Sequence, residues 1–203
     1  MCIRDRVSTM SFSIGRHFSA AILGGCCLFV FAFFLSIQAE AECPAETCSG
    51  SPTDVIERDT FCVYYNQGDA SDYSSGILSL EAATAVADMV QEYWDRYVTD
   101  FGFAEPLYTG KLEVCVRSGD SCNGGTSASS NNFSVNTECF CEVNSMKKVL
   151  GHELFHRVQY SYDGSEVKWF KEGTARAMED NAFDDIDNWL SLIHISEPTS
   201  RYA

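Results

Sequence analysis

The cysteines constrain the fold of this chain more than any other feature. The 203 residues contain ten of them, and seven lie between residues 42 and 189: Cys43, Cys48, Cys62, Cys115, Cys122, Cys139 and Cys141. In an exported protein, cysteines at this density predict a disulfide framework and not a metal cluster. The pairing cannot be deduced from the sequence, although Cys43 with Cys48 and Cys115 with Cys122 are close enough to close small loops.

The N-terminal segment predicts export. Arg16 precedes an apolar run over residues 18–37, and residues 39–41, Ala-Glu-Ala, have the small-x-small form of a signal-peptidase site. We therefore interpret residues 10–41 as a secretory signal peptide and residues 42–189 as one folded domain of a secreted protein. The apolar run is also long enough to cross a bilayer, so an uncleaved anchor at the cell surface is the alternative.

Both ends of the chain match the translation of one oligonucleotide. Residues 1–6, MCIRDR, can be encoded by a transposon end that is used in sequencing-library preparation. The reverse complement of that oligonucleotide encodes LSLIH, which stands at residues 190–194. We therefore interpret residues 1–9 and 190–203 as adapter translations that take no part in the fold. On this interpretation the domain is truncated and a C-terminal subdomain is missing.

The order of the predicted elements indicates an α+β fold. FCVYY at 61–65 is rich in strand-forming residues, and KLEVCV at 111–116 alternates apolar and polar residues as a half-buried strand does. Between them, apolar residues recur at helical spacing over 86–97, behind a predicted cap at Ser79. A loop rich in Gly, Ser and Asn over 117–132 precedes two further helices. We expect a small mixed sheet with helices covering one face.

The first of these two helices contains VLGHELFHRVQY at 149–160. His152 and His156 are one helical turn apart, so both imidazoles can face one ion, and the spacing suits a tetrahedral Zn²⁺. Glu153 is rotated by about a third of a turn, so its carboxylate can contact a water at the ion instead of ligating it. The alternative is an amphipathic helix that carries the two histidines on its polar face.

A catalytic zinc needs a third protein ligand, and the predicted domain contains no other histidine. Glu172 is the best candidate, because Asp163-Gly164 lets the chain turn back before it. It lies in the segment WFKEGTARAMED, within a helix predicted over residues 169–182. The alternative for Glu172 is an ordinary solvated carboxylate. Glu179 and Asp180 are further candidates, either as a ligand or as an acceptor for a histidine N–H.

The segment HELFHRVQYSYD…WFKEGTARAMED resembles the gluzincin metallopeptidases, in which HExxH is followed by a helix with a glutamate ligand. It is most similar to a family of secreted bacterial metalloproteases of the myxobacterial type, with the pattern HEFFHxxQ and then EGTAxWMED. The resemblance implies a zincin-like fold and one catalytic Zn²⁺ on His152, His156 and Glu172. It also implies peptide hydrolysis by a zinc-activated water, with Glu153 as general base. The chain departs from the pattern at 176–177, where Arg-Ala stands in place of an aromatic residue.

The implied partner is a protein or peptide substrate. The formal net charge of −15 argues against nucleic acid or an anionic membrane as a partner. The predicted strand at 132–135 is a candidate to receive the substrate as an added β-strand. Tyr160 and Tyr162 are candidate donors to a developing oxyanion, or else aromatic side chains that pack against Trp169.

Two other functional classes compete with the metallopeptidase interpretation. A secreted, disulfide-rich binding or adhesion module would carry the same cysteines without catalysis. A pseudoenzyme would bind zinc and hydrolyse nothing. Both differ from the enzyme in what Glu153 does, because only the enzyme depends on that carboxylate as a base.

Overall fold

The computed structural model describes residue 43 and three ranges within the compact unit formed by residues 41–203, namely 48–68, 77–106 and 110–183. The predicted signal peptide and both predicted adapter segments lie outside the described residues. Within the described ranges, no helix has the length and apolar character needed to cross a membrane.

Six strands form one mixed sheet. They are β1 (Asp54–Glu57), β2 (Phe61–Gln67), β3 (Ile77–Leu78), β4 (Leu112–Arg117), β5 (Gly124–Thr126) and β6 (Asn132–Asn136). Their order is β1-β2-β4-β6-β5, with the short β3 beside the end of β2. The inner strands β2, β4 and β6 are parallel, whereas β1 and β5 run antiparallel to their neighbours. The expected mixed sheet is therefore confirmed.

Three α-helices among the described residues accompany the sheet: α1 (Leu80–Trp94), α2 (Val143–Tyr162) and α3 (Lys168–Ala182). Helix α1 begins at the predicted cap, where Ser79 Oγ accepts a hydrogen bond from the backbone N–H of Ala82 at 3.1 Å. A π-helical turn over Asp95–Asp100 continues it. The α+β class predicted from the element order is thus confirmed.

One face of the sheet and the helices share a single hydrophobic core. Leu112, Val114 and Val116 of β4 are buried on this face, together with apolar residues of all three helices. Helices α1 and α2 approach closely at Gly151, where a Cβ atom would lie 2.4 Å from the Tyr93 ring. This contact requires glycine at residue 151 for α1 and α2 to pack as closely as they do.

The prediction that β4 is half-buried is wrong, because both of its faces are covered. Glu113 is only 2% exposed and Cys115 only 5%. Two disulfides, Cys43–Cys62 and Cys48–Cys115, hold the N-terminal cysteines against the face that α2 does not cover. Polar residues therefore alternate along this strand without facing solvent.

The pairing that the sequence left open does not use either of the two small loops. Cys43 pairs with Cys62, Cys48 with Cys115, and Cys122 with Cys139. Strands β2 and β4 run side by side with Tyr64 opposite Cys115, so Cys62 and Cys115 lie on the same face of the sheet, two positions apart along it. These disulfides therefore join cysteines that the fold brings together in space, and not those that are nearest in sequence. The three disulfides between described residues are consistent with an extracellular protein.

The predicted strand at 132–135 exists, but it cannot accept a further strand. It lies within β6, which pairs with β4 on one side and with β5 on the other. Strand β5 comes from the segment that was predicted to be a loop, and it is the outermost strand on this side of the described sheet. On this side of the described sheet, an added strand would therefore pair with β5.

Candidate metal centre

The structure brings together the three residues that the sequence nominates as metal ligands. One donor atom from each of His152, His156 and Glu172 lies within 4.8 Å of the other two. Glu172 Oε2 is 3.2 Å from His152 Nε2 and 3.7 Å from His156 Nε2. The Glu172 side chain is 46% exposed, so the cluster opens to solvent on the α3 side.

The donor set fits a zinc ion. Two ligands that are each about 2.0–2.1 Å from a tetrahedral ion lie about 3.3 Å apart, close to both separations between Glu172 and the histidines. Two imidazole nitrogens and one carboxylate oxygen also form a donor set that zinc accepts in catalytic sites. A second cluster of Cys48, Glu113 and Cys115 does not qualify, because its two cysteines share a disulfide and present no thiolate.

Local sequence explains why α3 lies against α2. Helix α2 ends at Tyr162, and the Asp163 carboxylate accepts hydrogen bonds from the backbone N–H and hydroxyl of Ser165, both at 2.7 Å. This turn sends the chain back along α2. Ala175 is completely buried between the helices, so the small side chain permits the close approach that brings Glu172 to the histidines.

Each histidine ring is held through its Nδ1 atom. His152 Nδ1 lies 2.6 Å from Glu179 Oε1, and His156 Nδ1 lies 2.6 Å from Gln159 Oε1. Glu179 is 3% exposed, so this carboxylate is buried against the ring that it orients. Both contacts leave Nε2 directed toward Glu172. The predicted alternative in which Glu179 accepts a histidine N–H thus agrees with its position, whereas Asp180 lies outside this cluster.

Sequence reasoning missed Gln159. Its Nε2 donates hydrogen bonds to the backbone oxygen of Lys171 at 3.0 Å and to Thr174 Oγ1 at 2.5 Å. The same side chain therefore orients His156 and ties α2 to the helix that carries Glu172. The sequence spacing could have indicated this role, because a residue three positions after His156 lies on the same face of a helix.

Glu153 is enclosed between α2 and the sheet edge. Its side chain is buried, and burial raises the pKa of its carboxyl to about 7. The charges of Glu172 and Glu179 act in the same direction, and those of His152 and Arg117 act against it. Gly124 of β5 lies directly over it, where a Cβ atom would be 2.6 Å from Glu153 Cγ. Sequence reasoning also missed Gly124, since it lay in a predicted loop.

The two histidines differ electrostatically in the metal-free protein. Burial lowers the pKa of His152, but the hydrogen bond and charge of Glu179 more than offset it, so the pKa is raised overall. The pKa of His156 is lowered, mainly by burial. A neutral His156 has an Nε2 lone pair ready for a cation.

The tyrosines that follow the motif occupy different environments. Tyr160 stacks on the His156 ring, with 6.2 Å between ring centroids, and burial raises the pKa of its phenol. Tyr162 is exposed, and its hydroxyl accepts a hydrogen bond from the backbone N–H of Ala104. Trp169 is 76% exposed and contacts the Phe170 ring. Of the two candidate oxyanion donors, Tyr160 is the one beside the metal ligands.

Comparison of the chain with protein-family models, with curated proteins and with solved structures gives no match. Function must therefore be argued from the motif and from the geometry of the side chains around it.

Proposed function

We propose that the chain is a secreted zinc metallopeptidase of the gluzincin type with a zincin-like fold. One observation carries the proposal: the donor atoms of His152, His156 and Glu172 converge within 4.8 Å, although they come from two helices. The buried carboxylate of Glu153, next to the first ligand, adds the base that hydrolysis needs. The three disulfides support export.

The metal ligands and the general base have separate roles in the proposed reaction. The Nε2 atoms of the two histidines and the carboxylate of Glu172 would hold the ion. When bound, zinc supplies Lewis acidity, which polarises a carbonyl group and lowers the pKa of water. Glu153 takes the proton from the attacking water and delivers it to the leaving amine. Tyr160 would donate a hydrogen bond to the developing oxyanion; the stacking of its ring on His156 supports this role.

A peptide substrate would extend the sheet at β5. This strand is outermost in the described sheet, and Gly124 brings it against Glu153. Backbone hydrogen bonds to β5 would hold an extended peptide over the base and the ligands. Peptide hydrolysis is therefore the reaction class that this arrangement of ligands, base and edge strand suits best.

The test is the metal content of the full chain, measured by mass spectrometry of the purified protein beside two variants. We expect about one zinc per chain, a sharp loss in Glu172→Ala, and retained zinc without peptide hydrolysis in Glu153→Gln. A chain that binds no zinc would end the proposal and leave the histidines as part of a binding module. Zinc binding with no Glu153-dependent hydrolysis of a peptide library would identify a pseudoenzyme.

A further inference from the structure

Two glycines on β5 leave room for charged side chains on both faces of the sheet edge. Gly124 faces α2 and lies over Glu153. Gly125 faces the opposite side, because successive strand residues alternate, and a Cβ atom there would be 3.9 Å from both Arg117 Nη2 and Ser134 Oγ. The carboxylate of Glu153 and the guanidinium of Arg117 thus flank the same two residues of the edge strand.

The face that carries Arg117 has a polar concavity beside β5. Hydroxyl groups of Ser127, Ser130 and Ser134 contribute to its walls, and the Cys48–Cys115 disulfide lies on the same face. Arg117 is the only charged residue among the described residues that line it. The concavity therefore combines one cation with several small hydrogen-bonding groups and contains no competing carboxylate.

Arg117 has unused hydrogen-bonding capacity. Its side chain is exposed at the end of β4, and it forms no hydrogen bond or ion pair with another described residue. A guanidinium presents a planar fork of donors that matches a carboxylate, and a bidentate pair of this kind gives both affinity and orientation. The chemistry of the concavity thus favours an acidic side chain.

We propose that Arg117 is a specificity-determining residue that selects an aspartate or glutamate in the peptide substrate. The proposal rests on the proposed peptidase function. A substrate strand antiparallel to β5 places the residue opposite Gly125 on the Arg117 face, with its Cβ about 5 Å from the position that a Cβ of residue 125 would take. An acidic side chain there meets Arg117 directly, because glycine contributes no side chain between them.

Arg117 can select an acidic side chain only through short-range contact, and not through the long-range field of the chain. The chain has a formal net charge of −15, so its long-range field repels acidic peptides. At physiological ionic strength that field is screened beyond about 8 Å, whereas a contact at Arg117 lies within this distance. The preference should therefore be measured at about 0.15 M salt, where the contact dominates over the net charge.

The experiment uses the zinc-loaded full chain and compares fluorogenic hexapeptides that differ only by glutamate, glutamine or lysine at one position, scanned along the peptide. We expect kcat/KM to be about tenfold higher for glutamate at one position. Arg117→Gln should remove this preference, and Arg117→Glu should convert it into a preference for lysine. Arg96→Gln is the control, because it removes the same charge from an arginine that pairs with Asp100 in the turn after α1.

Binding of the same peptides to the Glu153→Gln variant separates this proposal from the proposed function. Hydrolysis without a glutamate preference, or with a preference that survives in Arg117→Gln, would overturn the subsite and leave the peptidase intact. If no peptide is hydrolysed, the peptidase proposal fails and binding decides the subsite. Tighter binding of a glutamate peptide that is lost in the Glu153→Gln, Arg117→Gln double variant would support it, and equal binding would overturn it.

Discussion

Single residues around the histidines set which nitrogen faces the ion. The Gln159 amide must direct its NH₂ group toward the backbone oxygen of Lys171, which only accepts, so its carbonyl oxygen faces His156 Nδ1. The carboxylate of Glu179 makes the matching contact with His152. Acceptors at Nδ1 place the ring proton there and leave Nε2 unprotonated, which is the form that binds a metal.

Removal of the Glu179 carboxylate should weaken zinc binding without removing a ligand. We expect Glu179→Ala to raise the zinc dissociation constant roughly 10- to 100-fold, because the His152 ring loses the group that orients it. Competition with a chromophoric chelator measures the constant. Asp180→Ala is the matched control, since this neighbouring acid lies outside the cluster. Equal affinities in the two variants would contradict the role assigned to Glu179.

The buried Glu153 carboxyl should make the stability of the metal-free protein depend on pH. Its pKa is about 7 in the folded chain and 4.5 in the unfolded reference, so the protonated form is favoured by folding. The resulting stabilisation amounts to at most about 3 kcal/mol of unfolding free energy. It is fully present below pH 4.5 and is lost as the pH rises through about 7. Denaturant unfolding with chelator present, at pH 5 and pH 7.5, measures it.

Glu153→Gln provides the comparison for this pH dependence. Glutamine has nearly the same shape and does not titrate, so the variant should lose less stability than the natural chain between the two pH values. His152 and His156 titrate in both proteins. Because the charge of Glu153 helps to raise the pKa of His152, the difference between the proteins reports the coupled titration of Glu153 and His152. An identical pH dependence in both proteins would show that the Glu153 pKa is not raised.

At the scale of elements, α1 positions the metal-binding helix. Gly151 immediately precedes His152, and its carbonyl oxygen accepts a hydrogen bond from the Tyr97 hydroxyl at 3.2 Å. The Tyr93 ring lies where a side chain at residue 151 would be. Burial raises the pKa of Tyr97 well above its usual value, so this phenol remains a donor at all ordinary pH values. Tyr93 of α1 and Tyr97 of the turn that follows it therefore hold α2 in position.

Gly151→Ala should destabilise the fold although alanine is the better helix former. Alanine in a helix interior gains about 1 kcal/mol over glycine, but the new Cβ atom would overlap the Tyr93 ring and cost about 1–3 kcal/mol or more. Chemical denaturation gives the difference. In a Tyr93→Leu background the same substitution should cost much less, and an equal cost in both backgrounds would rule out the steric explanation.

At the scale of the whole molecule, disulfides hold the N-terminal cysteines to the sheet. The Cys48–Cys115 bond joins residues 67 apart and covers the face of β4 that carries Glu113. The Cys122–Cys139 bond joins residues only 17 apart. Because a longer closed loop restricts the unfolded chain more, the first bond should contribute more to stability.

Replacement of each pair by serine tests this ranking. We expect a loss of about 4 kcal/mol for the Cys48, Cys115 double variant and about 3 kcal/mol for the Cys122, Cys139 double variant. Thermal unfolding of both, beside the natural chain, measures the order. A larger loss in the second variant would mean that packing around β5 and β6, and not loop closure, dominates.

Features that depend on neighbours in the chain were predicted correctly. The cap at Ser79, the strand at the start of β2 and the two helices around the turn at Asp163-Gly164 all follow from residues a few positions apart. The juxtaposition of His152 and His156 follows in the same way, because helical periodicity alone places them on one face. The approach of Glu172 to the two histidines follows from one additional local feature, the turn at Asp163-Gly164.

The sequence by itself determined the α+β class, the helical spacing of His152 and His156, and the return of the chain that brings Glu172 to them, because each depends on local periodicity or on one turn. Only the tertiary structure decided the cysteine pairs, the burial of both faces of β4, the edge position of β5, and the contact of Gly124 with Glu153. These depend on residues that are distant in sequence and adjacent in the sheet, and no short-range pattern in the chain encodes that adjacency.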